Sequence, residues 1–524
     1  MAAKGFGKFI VVLTTITAAI MELLDVTIVN VALTEMSGAL GATIEDIAWV
    51  VTSYAIANVI VIPMTGFLAE YFGRKNYYLF SIILFTVASY FCGASSTLSE
   101  IVFWRFLQGI GGGALLSTSQ SILFDAFEPK DRGIASGLFG MGIVLGPTLG
   151  PFLGGVIIDN LSWEDIFYVN IPIGIAASIL TVLFIDRKEG EGQNKSNIVI
   201  DYIGILLLAV GVGSLQFVLE KGESEDWFES SLILTFTLAA VVGLVGFVVW
   251  ELFGTKYPVV NLRVLKHRTL SLTLLFTFVS GIGLFTSVFV YPVMVQRING
   301  FTPTMTGLSL LFPTLVAVPL FPIIGKRMSS GASPIPFIIA GFLIFIAFGF
   351  WGGAMNGEAN MWDFFPSQLM RVAGVSMLQL PLINQAVAGL KPQEFPAGIS
   401  LNNMMRQLGG AFGIAIANNY VTTRVAQHRS DLMSNMTTEN PLFMERLSTL
   451  TNGVAARTGE FFSATQIAYK QMELMVMKQA YLLAYLDTFR IVAVFFIIIF
   501  PLIFLLPRKK PSAADAAKAA AEAH

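Results

Sequence analysis

Long apolar runs separated by short polar turns set the rhythm of this chain. Runs of about 18 or more mostly apolar residues fall near positions 9–33, 47–69, 77–96, 100–124, 135–158, 167–185, 200–219, 231–253, 270–292, 305–325, 334–353, 363–388, 396–421 and 486–506. Each is long enough for a helix to cross the hydrocarbon layer of a bilayer, so the pattern predicts an all-α polytopic membrane protein with 14 spans. The first run is too long and too rich in acids for a cleaved leader and reads as a retained helix.

Composition agrees: of 524 residues, 55% are hydrophobic and 13% charged, with 44 Phe and a mean hydropathy of +0.72. These values exclude a soluble multidomain protein. The formal charge of -2 says little, but the placement of charge says more. Lys4, Lys8, Arg74, Lys75, Lys130, Arg132, Arg187, Lys188, Lys326, Arg327 and the 508–510 basic tail all fall on the side of the N-terminus, whereas short loops on the other side hold only Lys221 and Arg297. Cytoplasmic loops carry the basic excess, which predicts a plasma (inner) membrane protein with both termini cytoplasmic. The single Cys92 and three scattered His residues predict no disulfide framework and no metal site. No nucleotide loop or nucleophile–base pair points to an enzyme or to direct use of ATP, and nothing points to nucleic acid.

Against this apolar background two acids stand out in the first run, Glu22 and Asp25. An ionised carboxylate at such depth costs roughly 2.5–3.5 kcal/mol on insertion scales, which makes each a functional candidate. Glu22 lies near the midplane and Asp25 about 6 Å out from it; Arg105 in the fourth run, which travels inward, lies about 9 Å out. Asp25 and Arg105 therefore form the best-matched pair. An adjacent arginine favours the ionised carboxylate and apolar burial the protonated one, as a proton carrier requires. Glu22, about 60° round the helix from Asp25 and with no obvious cationic partner, reads as a second proton site or a counter-charge for substrate. The second half has no deep acid but carries Arg371 and Arg406, with Asn384, Gln385, Asn402 and Asn403 as polar neighbours. This asymmetry places proton chemistry in the first half and substrate contacts in the second.

The two ends of the chain echo each other. Arg105 with Gln108-Gly109 in run four matches Arg371 to Gly374 in run twelve; the end of run two matches that of run ten; the glycine-rich run five matches Gly409-Gly410 and Gly413 in run thirteen. The constant offset of eight predicts two six-helix halves with two helices inserted between them. The predicted divisions are 1–186, a linker with the inserted pair at 187–268, 269–506 with a polar outer segment at 422–487, and a tail at 507–524. The inserted pair lacks interior charge and is expected at the periphery. The outer segment is too long for a simple connection and reads as a docking surface or a gate.

Run five has Gly142, Gly146, Gly150 and Gly154 at four-residue spacing, a smooth stripe against which another helix can lie, and Pro147 and Pro151 remove two backbone donors and should bend it. With this run, the chain resembles the major facilitator superfamily, and within it the fourteen-helix drug:proton antiporters of the EmrB type. The resemblance rests on the 24–33 stretch with Asp25 and Asn30, the 66–75 loop, Arg105 with Gln108-Gly109, and the run-five pattern.

That resemblance implies export of lipophilic or amphipathic compounds in exchange for protons, with a proton gradient in place of any cofactor. It makes Asp25 the first proton site, ahead of Glu22. It also implies a gating charge network around Gly66, Glu70, Gly73 and Arg74. Here the network has Glu70 where the family carries Asp, and Asp125 is a candidate partner for Arg74. Asn30, Gln108, Arg371, Asn384, Gln385 and Arg406 are the candidate substrate contacts. Relatives of this type pair with a periplasmic adaptor and an outer-membrane channel, which the 422–487 segment would dock. That leaves a narrower alternative, an assembly subunit for a substrate such as a fatty acid.

Overall fold

The computed structural model describes residues 6–128, 131–186, 200–458 and 461–506. Lys4, Lys130, the linker residues 187–199 and the tail at 507–524 lie outside the described residues. The first half contributes α1 (Phe6–Leu40), α2 (Trp49–Phe72), α3 (Arg74–Gly93), α4 (Leu98–Ala126), α5 (Arg132–Asn160) and α6 (Asn170–Phe184). The inserted pair is α7 (Tyr202–Lys221) and α8 (Ser231–Val249). The second half holds α9 (Arg268–Met294), α10 in two pieces (Pro303–Ala317 and Leu320–Ser329), α11 (Ile335–Gly352), α12 (Met361–Gln385), α13 (Phe395–Ser434), α14 (Pro441–Thr458) and α15 (Phe461–Ile499). Pro319 explains the break in α10, since it donates no hydrogen bond and its ring collides with the preceding turn. By contrast α5 runs unbroken through Pro147 and Pro151.

Among the described residues eleven spans qualify by length and composition alone. The three predicted spans outside that set are α4, α12 and α13, and the reason is chemical. They carry the buried Arg105, Arg371 and Arg406 with buried amides such as Gln108, Gln379 and Asn403. Lipid sees the outer helices, so interior helices can be polar. With these three, and with α14 outside the membrane, the architecture is the expected all-α arrangement of 14 transmembrane helices.

Packing repeats at the offset of eight helices. In the first half α1 lies along α5, and α4 packs on α2 and α3; in the second half α9 lies along α13, and α12 packs on α10 and α11. The halves meet along two seams, α5 against α10 and α13 against α2. Among the inserted pair, α7 leans on α2 and α13 while α8 packs on α7 and presents Leu238, Val242 and Val245 outward. The pair is thus peripheral, as its lack of charge predicts.

The glycine stripe explains the closest of these contacts. Gly142 faces Ile16 and Ile20, Gly146 faces Leu23, Gly150 faces Thr27 and Ile28, and Gly154 faces Ile28 and Val31. A Cβ at Gly150 would strike the Thr27 side chain and come within 3.0 Å of the Ile28 nitrogen. Gly150→Val should therefore destabilise the purified protein by about 1–3 kcal/mol through overpacking. Thermal unfolding measures this, and an unchanged melting point would mean that α1 is not held there.

Two helices run far beyond the bilayer. α13 has 40 residues, about 60 Å of helix, where roughly 20 residues suffice to cross. α15 has 39. Their projecting parts are tied by Arg424, whose Nε and a terminal nitrogen donate to Asp487 at 2.9 and 2.6 Å, and by His428 at 2.9 Å from the same carboxylate, while Arg490 of α15 donates to Asp487 at 3.0 Å within its own helix. α14 lies on α15. The 422–487 segment is therefore mostly a helical layer continuous with the membrane helices.

Candidate functional site

Because α5 grips one side of α1, the acids leave from the other. At 100° per residue Asp25 lies roughly opposite the Leu23–Thr27 stripe that touches α5, and Glu22 nearby. Both, with Arg105, Arg371 and Arg406, are 1% exposed or less.

Asp25 sits in a closed network. One Arg105 terminal nitrogen donates to its Oδ2 at 2.5 Å and to Gln108 Oε1 at 2.8 Å. Gln108 and Asn170 each donate to Oδ1, at 3.0 and 2.9 Å, and both also reach Ser89 Oγ. Arg105 Nε donates to the Val50 carbonyl at 3.0 Å, and its guanidinium lies 4.3 Å from the Tyr54 ring centroid. A buried ion pair tolerates its desolvation only when its remaining donors and acceptors are satisfied, and this one has partners on both carboxylate oxygens. Gln108 is thereby engaged by both Asp25 and Arg105.

Glu22 is placed differently. Asn58 of α2 donates to its Oε1 at 3.2 Å, while Oε2 has no hydrogen-bond partner among the described residues. Electrostatically it faces Arg406 of α13, in the other half. The three guanidinium nitrogens of Arg406 have no hydrogen-bond partner either. Around them, Asn403 of α13 donates to Ser117 of α4 at 3.0 Å, and Asn402 accepts from Thr277 of α9 at 2.7 Å. Unpartnered atoms of Asn58, Gln120, Asn402 and Asn403 accompany those of Glu22 and Arg406. The expectation that Glu22 lacks a cationic partner is corrected: its partner comes from the second half. These groups form a polar centre between the halves, able to hold a proton, a counter-charge or the polar end of an amphiphile.

The major facilitator superfamily pattern matches residues 15–414, which takes in both acids and runs from α1 into α13 of the second half. The chain belongs to that superfamily. It is 33% identical over 443 residues to the multidrug export protein EmrB of Escherichia coli, covering 84% of this chain and 85% of that protein. It is also 33% identical over 434 residues to the fatty acid resistance protein FarB of Neisseria gonorrhoeae, covering 83% and 85%. Among solved structures, the human organic anion transporter MFSD10 superposes with a TM-score of 0.59 at 14% identity, covering 95% and 99%, a likeness of fold. The chain is thus a multi-pass membrane transporter of the EmrB-like group.

The other candidate positions of this facilitator divide by location. At the end bearing the basic loops, Arg74 forms an ion pair with Asp125. Gly73 turns the chain between α2 and α3 at φ +82°, a conformation that suits glycine, and Lys75 caps α6 by donating to the Val182 carbonyl at 2.8 Å. Gly66 touches Pro396 across the α2–α13 seam. Glu70 is exposed and makes no ion pair among the described residues, so the structure leaves it out of this cluster.

Arg371 donates to Gln368 at 2.7 Å and neighbours Tyr291, wholly inside the second half. Asn384 accepts from Ser136 of α5 at 2.9 Å, bridging the halves, and Gln385 beside it is half-buried. Asn30 is exposed, two turns beyond Glu22 on the same helix face. Sequence reasoning missed Ser89, Asn58 and Asn170 as parts of the site. For Asn58 a signal existed, an amide inside an otherwise apolar run.

Proposed function

We propose that this transporter is a proton-coupled antiporter that exports lipophilic or amphipathic compounds by alternating access between its halves, 1–186 and 269–506. Both termini face the cytoplasm and the protein sits in the plasma (inner) membrane. The observation that carries the reading is the pair of buried carboxylates on α1, one enclosed within the first half and the other turned to the second. Protons bind in this pair, and Arg371, Asn384, Gln385, Arg406 and Asn30 border the path of the substrate. Substrates that share apolar bulk rather than one polar pattern fit the printed roles of the relatives, multidrug export and fatty acid resistance.

Reconstitution in proteoliposomes tests the reading. With an imposed pH gradient, uptake of lipophilic test compounds into inverted vesicles should exceed that without a gradient by about tenfold, the ratio that a gradient of about 1.4 kcal/mol supports. Uptake indifferent to collapse of the gradient would rule it out.

The projecting α13–α15 layer favours a second reading alongside the first, in which the outer segment docks a periplasmic adaptor linked to an outer-membrane channel. Exposed Leu442 and Leu474 on that layer offer apolar contact. Removal of 435–460 should then abolish adaptor co-purification while vesicle uptake persists; loss of uptake instead would favour a gate.

A further inference from the structure

Rocking two rigid halves preserves every distance within a half and changes only the distances between them. This separates the two acids. Every hydrogen-bond partner of Asp25 belongs to the first half: Arg105 and Gln108 on α4 and Asn170 on α6, with Ser89 of α3 and Val50 of α2 completing the network. That environment travels with α1 as a unit, so it has no direct means of sensing which way the cavity opens. Asn58, which holds Glu22, packs on Gly113 of α4, one turn from Ser117, where Asn403 of α13 donates; Arg406, one turn along α13 from Asn403, acts electrostatically on Glu22 from the second half. Arg406 is itself anchored there, with its backbone against Gly281 of α9.

We propose that Glu22 is the proton site that reads the conformation, and that Arg406 is the trans-half cation that expels its proton when the halves close; this rests on the proton-coupled export reading. With the halves apart, Glu22 keeps Asn58 as its neutral partner in an apolar setting, and the uncharged acid is favoured. As the ends away from the cytoplasm close and the cytoplasmic ends open, the buried guanidinium approaches and the carboxylate is favoured over the acid. The Glu22 O–H bond breaks and its proton passes to water on the cytoplasmic side. Arg406 keeps its own protons throughout, and no electrons are exchanged.

The unpartnered Oε2 and the three unpartnered guanidinium nitrogens suit this role, since neither group is committed to a fixed hydrogen bond that closure would have to break. The other charged or titratable groups near Glu22 are Asp25 on its own helix and Tyr54 on α2, with Arg105 of α4 bound to Asp25. The α5 face against α1 is the glycine stripe and brings no charge. Arg406 is thus the group of opposite sign that comes from the moving half. It is a positioning residue for the proton rather than only a substrate contact.

The test uses full-length transporter in nanodiscs with one label on each half, and follows the label separation as a function of pH. In the wild type the separation should titrate with pH. Glu22→Gln should flatten the titration. Arg406→Gln should keep it but place its midpoint at a proton concentration at least about tenfold lower, since the expelling charge is gone. Arg406→Lys, which keeps the charge, should stay within about threefold of wild type.

A full pH response in Glu22→Gln, or an unmoved midpoint in Arg406→Gln, overturns the proposal. Should Arg406→Gln fail to fold, the Glu22→Gln titration decides alone. Wild-type uptake indifferent to a pH gradient would defeat the exporter reading and this inference with it. Gradient-driven wild-type uptake with an unmoved Arg406→Gln midpoint defeats only the inference.

Discussion

Asp25→Asn should reduce gradient-driven uptake to background and also lower the melting temperature of the purified transporter. The two losses have separable causes. An asparagine presents an amide where Gln108, Asn170 and Arg105 all donate, and it strips Arg105 of its counter-charge in a position 1% exposed. Breaking a buried pair by removing one partner costs about 3–5 kcal/mol. Adding Arg105→Gln removes the stranded cation, so the double variant should recover much of the stability yet remain inactive. Thermal unfolding and proteoliposome uptake, measured on both variants, check this. Wild-type uptake by Asp25→Asn would remove Asp25 from the coupling machinery, and a double variant less stable than the single would mean that the pair is not the source of the loss.

Such a result would also fix how the acids divide the work. Asp25 and Arg105 tie α1 to α4 and, through Gln108, Asn170 and Ser89, to α3 and α6. This fastening holds α1 in one rotation, with Glu22 turned to the seam between the halves. On the opposite face the glycines of α5 allow backbone approach that any larger residue would prevent. The placement of α1 is therefore a consequence of two contacts of different kinds, a charge network on one side and a lack of side chains on the other.

How far such a site can be read before the fold is known depends on which coordinate it uses. Depth along a helix is simple arithmetic at 1.5 Å per residue, so the match of Asp25 with Arg105 was legible although the residues are 80 positions apart. Rotation about the helix axis and the choice of lateral neighbour are not arithmetic. For that reason the sequence shows no partner for Glu22: Arg406 acts on it electrostatically only because α13 of the second half turns that face inward.

The same limit explains Gln108, whose position next to Arg105 in sequence did not reveal that both serve one carboxylate. The run at 396–421 marked the apolar part of α13 well, but the helix continues to Ser434. That extension is supported by Arg424 and Asp487, 63 residues apart, a pairing to which local hydropathy is blind. Glu70 shows the opposite case, a residue whose motif context suggested a charge network that the exposed side chain does not join.

Gly325→Trp and Gly307→Trp should each abolish transport, and should do so by trapping opposite states. The seam between α5 and α10 closes at the basic end where Gly325 meets the Gly133 backbone, and at the other end where Gly307 meets the Phe152 backbone. Hydrogen bonds accompany each closure, Ser136 to Asn384 near the basic end and Thr304 to Asp159 at 2.6 Å at the other. A Cβ at either glycine already conflicts with backbone, which cannot move aside as a flexible side chain can. An indole at 325 should therefore hold the basic end open and leave the opposite end free to close, and an indole at 307 should do the reverse. Label pairs across each end should report separations that no longer respond to pH, long at the substituted end and short at the other. If both variants gave the same distribution, or if either still carried substrate at the wild-type rate, the α5–α10 seam would not be a moving part of the cycle, and the halves would have to part along α2 and α13 alone.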